Sequence, residues 1–405
     1  MKPWFNEWRN NAMRSMMILL LAAIMCLSGS AMAVTINDGA VLSGETFIAS
    51  EDDESAIDLS GSSLATVTNA IVQKTAGDAS SADAASFRGV NSAVRVYDSA
   101  VLTISDSVIE ASASNATGVF AYDSGTIHIS DCTVTVTGGG AGGIQVAGGG
   151  TLIGENLTVT SASKAAIRSD RGGGTMLLDG GKYTSTGKNG CPAIYSTADI
   201  TVKNATCASE QSRAVIIEGK NTVTVENCVL EGNDQSSKDG SVKANVLLYQ
   251  SASGDASEGT SVFTMTGGGM TCHSGAMFYC TNTDSVINLT GAALNLSEDG
   301  TLLIVSAGRW GKDGRNGGDC VLNAEEQELE GTIAVDAIST LELNLVGSTY
   351  TGAIDGEGRV CVTMDEGSTW TLTGDSSISE FSGDLSSVIT NGYTLYVDGA
   401  AVTGN

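Results

Sequence analysis

The residues best suited to chemistry stand together in one stretch, Arg309-Trp310-Gly311-Lys312-Asp313-Gly314-Arg315. Three cations and an indole in seven positions are conspicuous in a chain with 20 Lys and Arg against 46 Asp and Glu. An indole flanked by hydrogen-bonding groups suits stacking on a sugar ring, and a basic patch suits an anionic glycan. The competing reading packs Trp310 under its own loop and pairs Arg309, Lys312 and Arg315 with nearby acids. Other chemistry is sparse. Glu218 ends a strand beside Lys220, and the two histidines, His128 and His273, fall in a Thr-rich column and a loop. Asp106 and Asp131 occupy a turn column where Asn serves equally well, so they are expected to shape the backbone rather than bind a metal. The Glu51-Asp52-Asp53-Glu54 run reads as a solvated acidic loop. Eight cysteines follow residue 33 with no C-x-x-C spacing, and they read as small buried fillers. No metal or cofactor is expected.

These residues need elements to hold them, and the elements announce themselves by repetition. AIYSTADITVKNATCAS is followed by AVIIEGKNTVTVENCVL, with Asn204 and Asn227 closing equivalent strands 23 residues apart. The column extends through Asp106, Asp131, Asn156, Gly180, Asn204, Asn227, Gly267 and Gly291, and later Gly347 and Gly374. All are Asp, Asn or Gly, the types that enter the left-handed region most cheaply. Two and four residues before them stand apolar pairs such as Leu102/Ile104, Ile127/Ile129 and Phe263/Met265, with polar residues between. That is period-2 strand patterning repeated at solenoid period, which stacked parallel rungs of about 24 residues would produce.

The first strand of each rung carries a second column. Arg95, Phe120, Gln145, Arg168, Tyr195, Ile216, Leu247, Phe278 and Leu303 are expected to point outward. From Tyr195 onward this stripe is apolar, which marks either a binding surface or a face covered by a loop of the same chain, such as Thr75–Asn91. Two corners after the first strand are enlarged, Ser251–Thr260 and Ala307–Asp319. Two rungs apart, they should protrude side by side.

With these columns the chain resembles a right-handed parallel β-helix of the pectin-lyase-like type, and within it bacterial secreted or adhesin-like β-helix proteins. The likeness rests on GGIQVAGGGTLIGENLTVTS, AAIRSDRGGGT, PAIYSTADITVKNAT, AVIIEGKNTVTVENC, EGTSVFTMTGG and STWTLTGDS. The resemblance implies an all-β, single-stranded solenoid. Function does not follow from it, because this fold hosts lyases, hydrolases, adhesins and tailspikes alike. The clustered Asp and Gly-His-Gly motifs of polygalacturonases and pectate lyases are absent from the sequence. A hydrolase needs a carboxylate pair or trio on a strand face, and the outward first-strand positions hold almost none.

Lys2, Arg9 and Arg14 precede the apolar run Met16–Leu27, and Ala31-Met32-Ala33 supplies small residues, so 1–33 reads as a cleavable signal peptide. Lipidation at Cys26 is the rival reading. The expected organisation is a capping segment at 34–92, the β-helix at 93–380 and a capping hairpin at 381–405 built on Asn391-Gly392. A net charge of −26 argues against nucleic-acid binding, and no apolar run is long enough for a membrane span. The expectation is a secreted or cell-surface binding protein that engages a glycan or a host or cell-surface protein. A polysaccharide-active enzyme and a purely structural rod are the alternatives.

Overall fold

The computed structural model describes residues 34–187, 191–236 and 242–402; the signal-peptide and lipidation readings lie outside them. Among the described residues the chain winds through three parallel sheets in turn. The first has sixteen strands, from Val34–Thr35 to Ala400–Val402, and the second fourteen, from Ala40–Ser43 to Glu380–Ser382. The third has ten strands, ending at Ala293–Asn295, and a four-stranded sheet beginning at Glu328–Glu330 takes over its position. Within each sheet, up to the last strand of the first, a strand pairs in parallel with those one turn earlier and one turn later, so strands about 4.8 Å apart satisfy one another's backbone groups.

The turn column is realised in the backbone. Asp106, Asp131, Asn156, Asn204 and Asn227 all have φ of 51° or 52°. Gly180, Gly267, Gly291 and Gly347 share the left-handed region, and so do Asn69 and Glu326, which the column as read from sequence omitted. Gly374 does not belong to it. Trp370, which stands four residues before Gly374 where the column would place a second-strand residue, lies in Thr369–Thr371 of the four-stranded sheet. There it stacks on Tyr350, centroids 5.7 Å apart, and donates its indole N–H to the Gly352 carbonyl at 3.0 Å.

The inward positions form one continuous core. Val94, Val119, Ile144, Ile167, Ile194, Val215 and Val246 stack along the first sheet, each with no exposed surface. Each such aliphatic side chain contributes roughly 1.5–3 kcal/mol by leaving water. On the outer face of the second sheet a polar ladder runs along the axis. Asn344 donates to Asn323, and Asn323 to Asn288, both at 2.9 Å, and Asn288 donates to Thr264 at 3.1 Å.

The ends differ from the expectation. Residues 34–74 already make two rungs in register with the rest, Ile57 pairing with Val94 and Ala65 with Leu102. Strand-length runs that repeat the rung pattern stack as rungs whatever their place in the chain. At the other end, Asn391-Gly392 is a rung corner. The strand before it, Val388–Ile389, pairs with Thr369–Thr371, and the strand after it, Leu395–Val397, pairs with Ser376–Ile378. The hairpin is Leu395–Val397 with Ala400–Val402, turned at Asp398-Gly399, the one antiparallel pairing among the described residues. A two-residue turn with positive φ sets a sharp reversal but does not decide whether the flanking strands pair with each other or with the rung below.

Candidate functional site

The outer face of the first sheet brings the candidate residues together. Its outward column runs Arg95, Phe120, Gln145, Arg168, Tyr195, Ile216, Leu247 in register. The next residues are Tyr279 and Ile304. Phe278 pairs with Val246 and Leu303 with Phe278, and both point into the core with no exposed surface. The sequence expectation was therefore one residue out of step at Phe278 and Leu303. Strand Ala276–Thr281 is buried on both faces and gives no alternation to read, and the register shifts between Thr301 and Leu303.

Loops of the same chain cover this stripe from two sides. Over its first half lies a short helix, Ala82–Arg88, capped by Ser81 and by Gly89 at φ 65°. Gln145 donates to the Ser86 carbonyl and Lys164 to the Ser86 hydroxyl, both at 2.8 Å, while Gly89 sits against the Phe120 ring. The capping signals Ser81, Asp83, Arg88 and Gly89 are in the sequence, but seven residues are too few for a helical period to emerge.

Over the second half lies the loop Ala307–Asp319. Trp310 packs on Tyr249, centroids 5.6 Å apart and tilted by 40°, in one apolar cluster with Ile216, Leu247 and Tyr279. Asn316 is 5% exposed and pins the loop by donating to the Gly308 and Trp310 carbonyls at 2.7 and 2.8 Å. Asp336 accepts from the Ala307 N–H at 2.7 Å. The loop is thus anchored at several points, and Trp310 is half-buried within it. Arg309 lies over the indole at 4.2 Å and is exposed, as are Lys312 and Arg315. On the rung between this loop and the enlarged corner Ser251–Thr260, Asn282 lies against Gly311 and donates to the Gln250 carbonyl at 2.7 Å.

Between the two covers lies a polar cluster that the sequence reading missed. Glu218 is 1% exposed and accepts from four hydroxyls: Tyr195, Ser251, Tyr249 at 2.9 Å and Ser253 at 3.3 Å. Burial, then the neighbouring phenol and the Glu218 carboxylate, pushes the Tyr195 hydroxyl well above its usual value. Burial and Glu218 likewise raise Tyr249, so both remain donors. Two rungs earlier Asp170, 3% exposed, is paired with Arg168, and Arg168 in turn lies over the Tyr195 ring at 5.1 Å. A spacing of two rungs is roughly 10 Å, near the carboxylate separation of inverting glycosidases. Yet both groups are closed off from solvent, and their oxygens are already engaged by the protein. As arranged, Glu218 anchors the corner Ser251–Thr260 through Ser251 and Ser253, and Asp170 holds the Arg168 guanidinium. A strand-end Glu in the same column as a Tyr one rung on was the one signal that could have found it.

The remaining candidates separate from this face. Asp52 and Asp53 accept from the backbone of Asp78 and Ser80, and Glu54 from Ser50 and Glu51, so the acidic corner organises its own turns. His128 is exposed on the second sheet, and His273 approaches Glu231 at 3.9 Å. A cleft of about 680 Å³ opens where the third sheet gives way to the fourth, lined in part by Asn295, Glu326, Glu328, Glu330 and Thr349. No group of three or more His, Cys, Asp or Glu side chains is arranged to hold a metal among the described residues. Nor is any helix among them long and apolar enough to cross a membrane.

Stacked parallel sheets and a core of inward columns define the molecule as a parallel β-helix. The family described as the right-handed β-helix region matches residues 55–306, and the chain belongs to it. No curated protein matches the chain.

Proposed function

We propose that the protein is a secreted or cell-surface, non-catalytic β-helix that binds an anionic glycan through the loop Ala307–Asp319. The observation that carries this reading is the exposure of Arg309, Lys312 and Arg315 on one anchored loop of a chain with net charge −26. Fixed cations on a rigid support lose little entropy on binding, and Arg presents a planar fork that fits carboxylate or sulfate oxygens. Trp310 supports that loop from beneath, which favours the packing role for the indole over open stacking on a sugar. The burial of Asp170 and Glu218 supports a binding role over hydrolysis. Secretion is favoured by the basic, apolar and small-residue succession of the first 33 residues.

The test screens the full chain against uronate-bearing, sulfated and neutral glycans, with polysaccharide cleavage followed on the same preparation. The expected result is binding to anionic glycans, lost at least tenfold in the triple variant Arg309→Ala, Lys312→Ala, Arg315→Ala. Equal binding by the variant, or release of cleaved oligosaccharides, would overturn the proposal.

A further inference from the structure

Seven of the eight cysteines among the described residues are buried, and two of those meet. The Cys280 and Cys320 sulfurs lie 3.6 Å apart, with the side chains 0% and 2% exposed. Cys280 is next to last in the first-sheet strand Ala276–Thr281, and Cys320 is second in the second-sheet strand Asp319–Glu325 one rung later, where it pairs with Ser285. They therefore sit diagonally across one rung step, on the inner side of the corner from which Ala307–Asp319 projects. Gly318 closes that corner: a β-carbon there would stand 2.7 Å from the Cys280 carbonyl oxygen and 3.0 Å from a Val305 methyl.

We propose that Cys280 and Cys320 are the site of a disulfide that ties the foot of the basic loop to the preceding rung. Bond formation needs the sulfurs to approach by about 1.5 Å to reach the usual length near 2.05 Å, a change within reach of small side-chain rotations. The ring so closed spans a full turn of the solenoid together with the loop, so the crosslink restrains a long stretch of the unfolded chain. The oxidant is a disulfide of the glutathione class. One cysteine thiolate attacks it, forming a mixed disulfide and releasing one glutathione. The other thiolate then attacks the protein sulfur and releases the second. Two thiol protons leave, and two electrons pass to the glutathione disulfide. Because both sulfurs are closed off in the folded rung, the exchange takes place while the chain folds.

The experiment refolds the full chain in a buffer of oxidised and reduced glutathione, blocks free thiols and maps peptides without reduction. The expected product carries a disulfide linking Cys280 to Cys320. The oxidised protein should melt about 5 °C or more above the reduced protein. Cys280→Ala and Cys320→Ala should each abolish that difference, and the double variant should behave like either single one. Free thiols at both positions after oxidative refolding, or a different partner for either, would overturn the proposal. So would a melting difference that survives in both single variants.

Discussion

The indole of Trp310 rests on the ring of Tyr249, their centroids 5.6 Å apart, although Tyr249 ends a first-sheet strand and Trp310 lies in the corner two rungs on. This contact turns an enlarged corner into a fixed platform and places Arg309, Lys312 and Arg315 at its outer edge. Trp310→Ala removes the half-buried wedge and should destabilise the loop locally by roughly 2 kcal/mol. Limited proteolysis should then cut between 309 and 315 several times faster than in the parent protein. An unchanged cleavage rate would mean that the Asn316 and Asp336 hydrogen bonds hold the loop without it.

Binding through exposed cations carries a salt signature. Affinity of the parent protein for a sulfated or uronate glycan should fall severalfold between about 0.05 and 0.2 M salt, because surface charges are screened beyond the Debye length. In Arg315→Ala the fall should be shallower and the melting temperature unchanged. Calorimetric titration across a salt series reads both the affinity and its slope.

Glu218 should matter to stability out of proportion to its single charge. Glu218→Ala leaves the hydroxyls of Tyr195, Tyr249, Ser251 and Ser253 without their acceptor and opens a void, at a cost of about 2–4 kcal/mol. Glu218→Gln keeps the volume and one acceptor oxygen and should lie between the two. Denaturant midpoints of the three proteins give the order; equal midpoints would remove Glu218 from the support of the corner Ser251–Thr260.

Lys164 provides a pH dependence. Burial, reinforced by Arg168 and opposed by Asp170 and Cys191, pulls its pKa from 10.5 to about 8. The folded state disfavours the charged amine, so the penalty is complete below pH 8. It is relieved between pH 8 and 10.5, where the unfolded chain still holds the proton and the folded chain does not. Lys164→Met should therefore be more stable than the parent at neutral pH, by roughly 1–2 kcal/mol after solvent screening. The parent should close that gap as pH rises through this window. A difference independent of pH would contradict the assignment.

The turn column can be tested at Asn227, whose φ is 52°. Asn227→Gly should leave stability nearly unchanged, whereas Asn227→Val places a β-branched residue in the left-handed region and should cost about 1–3 kcal/mol. Denaturant unfolding of the two variants separates a conformational role from a hydrogen-bonding one, since both substitutions remove the side-chain amide.

The columns at Asn204 and Asn227, the apolar pairs before them and the period of about 24 residues determined the β-helix, because each rung must satisfy the same local constraints. The same regularity placed Arg309, Trp310, Lys312 and Arg315 on an enlarged corner. What faces what was decided only by the tertiary structure. Phe278 and Tyr279 are neighbours in a strand buried on both sides, so alternation could not tell which entered the core. The apolar stripe at Tyr195, Ile216 and Leu247 reads from sequence equally as a binding surface or a covered face, and only the fold shows the loop Ala307–Asp319 packed over it. Glu218 is a strand-end acid in sequence, and it becomes a buried acceptor only when Tyr195, Tyr249 and two serines, up to 35 residues away, converge on it. A repeat fixes the backbone through local conformation and stacking, whereas its covers and crosslinks depend on contacts between rungs that no single period encodes.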